Sequence, residues 1–318
     1  MKEEDKKLYK ASIKSIDTEE FLDMWVYRPL GFRCALFFRN RGIHPNIITI
    51  ASIFLGIAAG VCFLQESLRW NIVGVLLLVW ANLYDSTDGQ LARITGQKTR
   101  WGRILDGFAG DCWFFCIYFA IAARETFQPI PFAPEYNWGP IIWVLVSFCG
   151  FWVHGSQCQL ADYYRNIHLY FTNEKNGNEF HNSAAQRKEY DETPWKGNFF
   201  WKIFLNAYIA YVDNQERMSP YFQRFIKKVN EKYSTNLPEW LRKEFREGSL
   251  PLMKYTNILT FNSRFFILTI SMLLCMPWFY IFYEMIVLTT LYRYMRHRHE
   301  RLCDELYHKW FAYECQLP

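Results

Sequence analysis

The sequence predicts an all-α polytopic membrane protein. It has six transmembrane helices, an N-terminal amphipathic surface helix, and a helical cytoplasmic insertion between spans four and five. Three observations predict it. Apolar residues gather into runs near 46–66, 70–90, 103–123, 138–158, 256–276 and 277–295, each about the 20 residues that cross a bilayer. The chain carries 13 Trp and 20 Tyr, and these stand at the ends of the runs, where membrane interfaces favour them. Basic residues are shared unevenly between the two sides. "ARITGQKTRWGR" and "YRYMRHRHER" fall on one side, and only Arg69 and Arg124 in loops near 66–70, 124–137 and 275–278 on the other. That asymmetry places both termini in the cytoplasm, and a bacterial inner membrane is favoured over an endoplasmic reticulum. The mean hydropathy of −0.13 hides the pattern, because apolar and charged blocks cancel in the average.

Taken in order, "MKEEDKKLYKASIKSIDTEEF" lacks the apolar core of a secretory signal. Residues 1–45 form a cytoplasmic or interfacial segment, in which "FLDMWVYRPLGFRCALFFRNRG" mixes Trp, Phe and Leu with Arg as a surface-lying helix does. "HPNIIT" opens the first span, with Pro45 at a helix start, and the first four spans fill 46–160. Residues 161–255 are charged and aromatic. "NFFWKIFLNAYIAYV" and "PYFQRFIKKVNEKY" read as amphipathic helices there, either on the membrane or packed as a small cytoplasmic cap. The last two spans occupy 256–296, and a basic cytoplasmic tail 297–318.

Nine Cys show no paired metal or disulfide spacing, and Cys112 and Cys116 read as small buried hydrophobes. The net charge of +5 is modest. Nothing resembles a nucleic-acid module, and the basic residues suit an anionic membrane face. "HNSAAQRKEYDETPW" and "HRHER" read as solvated charged surface.

The chemistry concentrates in "DSTDGQLARITGQKTRWGRILDGFAGD", Asp85 to Asp111. Asp85 and Asp88 are three residues apart and share one helix face. Asp106 shares a face with Gly102 on the next helix, and a short loop makes the two helices antiparallel neighbours. Their carboxylates therefore converge just inside the cytoplasmic surface. Unpaired acids this close repel one another. A divalent cation removes the repulsion, and an all-oxygen site suits Mg²⁺, Mn²⁺ or Ca²⁺ over Zn²⁺. Gly89, Ala92 and Gly102 leave room for a substrate beside the backbone, and Arg93 can meet phosphate oxygens. Acids, metal, small residues and Arg together fit phosphoryl transfer from a diphosphate.

This stretch resembles the CDP-alcohol phosphotransferases, which share D-x2-D-G-x2-A-R-x8-G-x3-D-x3-D. Asp85, Asp88, Gly89, Ala92, Arg93, Gly102 and Asp106 match it in register. "HPNIIT" and the six-span layout are also similar. The resemblance covers roughly 40–160 and does not explain 160–255. It implies a membrane-embedded enzyme, usually a homodimer, with two divalent metals (Mg²⁺ or Mn²⁺). Such enzymes transfer a substituted phosphate from a CDP-linked lipid to an alcohol and release CMP. It implies metal binding by Asp85, Asp88, Asp106 and a fourth Asp, and a cytidine-diphosphate pocket lined by Gly89, Ala92, Arg93 and Gly102. Catalytic roles fall to Asp106 and the fourth Asp, which also serves as the base toward the attacking hydroxyl.

The fourth Asp is displaced: Gly110 stands where the pattern asks for Asp, and Asp111 follows. On a regular helix five residues turn about 140°, against about 40° for four, so Asp111 would point away from Asp106. A π-bulge at Gly107–Gly110 would restore the register. The alternative is a site of three acids.

Arg264 lies about two turns inside the fifth span and needs an anionic partner. That partner is either a phosphate of lipid or acceptor headgroup, or Glu284 in the last span.

The enlarged 160–255 region and the displaced Asp lean toward the inositol-lipid branch of sphingolipid-making bacteria. The donor is then CDP-diacylglycerol or another phospholipid, and the acceptor a small polyol or lipid alcohol. Three alternatives stand beside this reading: phosphoinositol transfer from a phospholipid to ceramide, a Mg²⁺-dependent membrane prenyltransferase, and a non-enzymatic ion-coupled transporter. Prenyltransferases usually carry two Asp-rich motifs, and only one is present here. Paired half-repeats with broken helices, expected of many transporters, are not evident.

Overall fold

Two short helices precede the apolar part of the chain. They are α1 (Glu3–Ser12) and α2 (Arg28–Asn40), with a π-helical turn over Asp23–Tyr27 leading into α2. The computed structural model describes residues 3–13, 15–172, 180, 182–233 and 236–311. Phe32 and Ala35 are buried, and α2 packs along the helix that carries the paired Asp residues. A Cβ added at Gly31 would come within 2.7 Å of Gln90 Oε1, so the approach is close. The segment read as a surface helix is thus clamped to the bundle by its small-residue face.

α3 (Pro45–Phe63) starts where "HPNIIT" predicts. His44 Nδ1 accepts the Asn46 amide at 3.2 Å, and Pro45 takes the first turn, where its missing N–H costs nothing. α4 (Leu68–Thr95) and α5 (Arg100–Glu125) follow. An antiparallel pair, β1 (Pro129–Ile130) and β2 (Ala133–Asn137), reverses the chain. α6 (Pro140–Phe148), a π-helical turn over Cys149–His154 and α7 (Gly155–Thr172) then continue one another. Next come α8 (Ser183–Glu192), α9 (Phe199–Met218), α10 (Pro220–Tyr233), α11 (Glu239–Ile258) and α12 (Phe261–Leu273). The chain closes with α13 (Pro277–Phe282), a π-helical turn over Tyr283–Leu288, and α14 (Thr289–Trp310).

Among the described residues, three stretches are long and apolar enough to cross a bilayer by length and composition: Pro45–Phe63, Ile104–Glu125 and Pro140–Thr172. The other three expected runs do not combine that length with that hydropathy. α4 has the length, but Asn71, Asn82, Asp85 and Asp88 dilute its apolar run. α12 has 13 residues and reaches about 20 Å, short of the ~30 Å hydrocarbon core. The last run is diluted by Tyr280, Tyr283, Glu284, Thr289 and Thr290 and becomes basic in α14.

The described chain forms two compact units, 1–155 with 261–287, and 156–260 with 288–318. In the first, Phe63, Leu78, Trp113, Ile117, Ile121 and Tyr280 belong to one buried apolar core. Its outer surface is also apolar, with Phe54, Val61, Leu76, Phe115 and Val144 exposed, as expected of helices facing lipid.

In the second unit, α14 packs on α10 and α11. Phe171 and Phe245 stack at 4.0 Å, and Tyr164 lies on His299 at 3.7 Å. The residues read as a basic tail are therefore a packed helix up to Trp310, while 312–318 lie outside the described residues. All described cysteines are free.

α3 is held against its neighbours by small residues. A Cβ on Gly60 would lie 2.7 Å from the Cys116 Cβ and 3.0 Å from the Cys116 carbonyl carbon. The second contact is with backbone, so side-chain rotation cannot relieve it. Gly60→Ala should lower the thermal unfolding midpoint in detergent, at an overpacking cost of about 1–3 kcal/mol. Gly107→Ala, which meets nothing within 4 Å, should hold or raise it, because Ala is the better helix former.

Candidate metal and diphosphate site

The turn between α4 and α5 is built from its sequence. Gly96 adopts φ 71°, a left-handed geometry that glycine takes without strain and that ends α4. Thr99 then caps α5, its Oγ1 accepting the Gly102 amide at 2.9 Å. The two helices do not pair directly as their short connection suggested. α3 packs along both, and α4 and α5 have little direct contact among the described residues. The "HPNIIT" helix therefore forms the floor of the site. Thr49 lies against Asp88, and a Cβ on Gly102 would come within 3.0 Å of Asn46 Oδ1.

On that floor the carboxylates of Asp85, Asp88 and Asp106 converge, each with an oxygen within 4.8 Å of the others. Asp88 is 3% exposed, and its Oδ2 is buried with no hydrogen-bond donor. A buried carboxylate oxygen without a donor is costly. A divalent cation would supply what it lacks, and an all-carboxylate donor set matches a hard ion. Asp85 is half-buried and Asp106 exposed, which leaves one side of the trio open to a ligand.

Cationic side chains flank the trio. Arg28 acts electrostatically on Asp85, and Arg93 is acted on by Asp88 and Asp106. Arg93 Nε donates to the Ser12 carbonyl at the end of α1, and its guanidinium occupies the space beside Gly89, 3.4 Å from where a Cβ would stand. Ala92 is half-buried. Arg28 donates to Glu19 at 2.9 Å and to Ser86 at 3.3 Å. Sequence reasoning missed Arg28, Glu19 and Ser12. They lie some sixty residues or more from the Asp motif, and the packing of α1 and α2 on α4 brings them there.

Asp111 stands apart. α5 is unbroken from Arg100 to Glu125, so the π-bulge expected at Gly107–Gly110 is absent. Asp111 is exposed and lies outside the trio. Its turn of about 140° from Asp106 puts it on the same stripe of the helix as Tyr118, and His154 is near enough for its charge to act on Asp111.

Tyr118 and His154 belong to a buried polar cluster around Glu284. Arg264 pairs with Glu284, both fully buried. Tyr118 and Tyr280 donate to the same carboxylate. His154 Nδ1 lies 3.3 Å from it, and the Cys149 thiol donates to it at 3.3 Å. Arg264 thus meets Glu284, the side chain named in one of the two expectations, and also His154 at 3.0 Å. Leaving such a carboxylate without its guanidinium costs about 3–5 kcal/mol. Two of the π-helical turns sit here, at Cys149–His154 and Tyr283–Leu288, and supply Cys149, His154 and Glu284.

Residues 42–162 match the CDP-alcohol phosphatidyltransferase family, a segment that contains the trio and its α3 floor. A 70-residue stretch is 41% identical to an uncharacterised protein of Aquifex aeolicus (strain VF5), covering 22% of this chain and 34% of that relative. The match thus spans about a third of the relative's length.

The geometry separates three acids from the fourth. Asp88→Asn should weaken Mn²⁺ binding at least tenfold in an EPR titration of the free ion, whereas Asp111→Asn should leave the affinity within about twofold, since it removes none of the converging oxygens.

Proposed function

We propose, from the premise that residues 42–162 form a CDP-alcohol phosphatidyltransferase domain, that the chain is a membrane transferase of phospholipid-headgroup synthesis. It moves a substituted phosphate from a CDP-alcohol such as CDP-diacylglycerol to an alcohol and releases CMP. The observation that carries this reading is the convergence of Asp85, Asp88 and Asp106 on a motif that matches the family in register. Asp85, Asp88 and Asp106 would hold Mg²⁺ or Mn²⁺, which supplies charge neutralisation at the diphosphate. A second ion of the family's kind would be held by the same trio together with Asp111 or the substrate's phosphates.

The chain's own residues do the rest. Arg93 and Arg28, beside the trio, bind the diphosphate oxygens and fix its orientation. Arg93 exchanges its bond to Ser12 for phosphate when the donor enters. The acceptor oxygen attacks the lipid-linked phosphorus, the bond to the CMP oxygen breaks, and CMP leaves with that bond's electron pair. Asp111, exposed on α5 about 140° around the helix from Asp106, receives the hydroxyl proton of an acceptor that enters from that side. Gly107, with nothing within 4 Å of an added Cβ, keeps that approach open.

Within this class we take the acceptor to be an inositol-type polyol, on the lean given by the sequence. The enzyme works as a homodimer with both termini in the cytoplasm of a bacterial inner membrane.

Purified protein with Mg²⁺ and CDP-diacylglycerol should release CMP only when an acceptor alcohol from a panel is added, with one new lipid seen by mass spectrometry. Asp85→Asn should lower the rate at least a hundredfold, and Asp111→Asn should lower it while keeping Mn²⁺ affinity. CMP release without any acceptor requirement, or none with any acceptor, counts against the transferase.

A further inference from the structure

We propose that α9 is a membrane-docking helix, its exposed aromatic face lying in the boundary between headgroups and acyl chains of a lipid bilayer. The inference concerns the second compact unit alone and does not rest on the transferase reading.

The amphipathicity of α9 is inverted relative to a helix in water. Over 199–212 the only charged residue is Lys202, and it is turned inward, 5% exposed. Its Nζ donates to the Tyr190 and Thr193 carbonyls at 2.8 and 2.9 Å and lies 4.0 Å from the centre of the Tyr190 ring. A lysine on a water-facing helix normally carries its ammonium out to solvent. Here aromatics take the outside instead. Phe200 is 76% exposed, Phe199 56% and Ile203 50%. Trp195, at the tip leading into the helix, is 52% exposed.

Beside that face runs a half-buried ladder. Trp201 meets Phe204 at 5.4 Å, Phe204 meets Tyr208 at 5.7 Å, and Tyr208 meets Tyr211 at 6.1 Å. The opposite side is ordinary core, with Leu205, Ile209 and Val212 buried. An uncharged patch of this kind marks an interaction surface.

Two features choose lipid as the occupant. Trp, Phe and Tyr together are the composition of the membrane interface. The charge pattern grades along the helix: neutral through Val212, then Asp213, Glu216 and Arg217, so one end belongs to the bilayer and the other to water.

The test uses ¹⁹F NMR on the full chain in lipid nanodiscs, with Phe200→4-trifluoromethylphenylalanine and, separately, Ile203→4-trifluoromethylphenylalanine. The same label at the exposed Asp191 of α8 is the water reference. Dissolved oxygen, which concentrates in lipid, should shift and relax the labels at 200 and 203 several-fold more than the label at 191, and a water-soluble gadolinium chelate should spare them. Gadolinium broadening at 200 and 203 equal to that at 191 means the face is in water and overturns the proposal. Shielding from both probes means a protein partner, such as a second copy, and overturns it as well.

Discussion

Three carboxylates drawn to within 4.8 Å of one another at the edge of apolar helices set the terms for the first compact unit. Like charges in a poorly solvated place repel strongly, and one oxygen of Asp88 is buried without a donor. The surroundings answer this only in part. Arg28 and Arg93 flank the acids, and each is engaged elsewhere, with Glu19 and with the Ser12 carbonyl. A divalent cation would complete the balance and would leave the guanidinium groups to a diphosphate. The arrangement is one of incomplete compensation, which is what a binding site needs and a purely structural ion pair avoids.

The Glu284 cluster is the contrasting case. Arg264, Tyr118, Tyr280, His154 and Cys149 surround one buried carboxylate. Its compensation is local and complete enough to hold α5, α12 and the two π-helical turns together. Buried charge of this kind persists when every member is paired. Two wide π-turns fall in this cluster, where they aim His154 and Glu284 at one point, and none falls in α5, where the offset of Asp111 had suggested one.

Much of this was legible in the sequence. The 3.6-residue period places Asp85 and Asp88 on one face, Gly96 and Thr99 mark the turn, and "HPNIIT" marks a helix start. These are local signals set by propensity and capping. The convergence with Asp106 was also readable, because the connection is short. Non-local facts were not. That α3 packs along both α4 and α5, that α2 is clamped on Gly31, and that Arg93 reaches back to Ser12 all follow from packing between distant segments. Helix bounds were also not readable from the apolar runs: a run does not say whether one helix continues through it, and the 256–276 run is interrupted between α11 and α12.

The central claim is that Asp85, Asp88 and Asp106 hold the ion that takes the donor's diphosphate. ³¹P electron–nuclear double resonance on the Mn²⁺-loaded protein with CDP-diacylglycerol tests it most directly. The account predicts a ³¹P hyperfine coupling of direct phosphate coordination, present in the wild type and in Asp111→Asn and absent in Asp85→Asn. Bound Mn²⁺ with no ³¹P coupling while CDP-diacylglycerol is bound would contradict it.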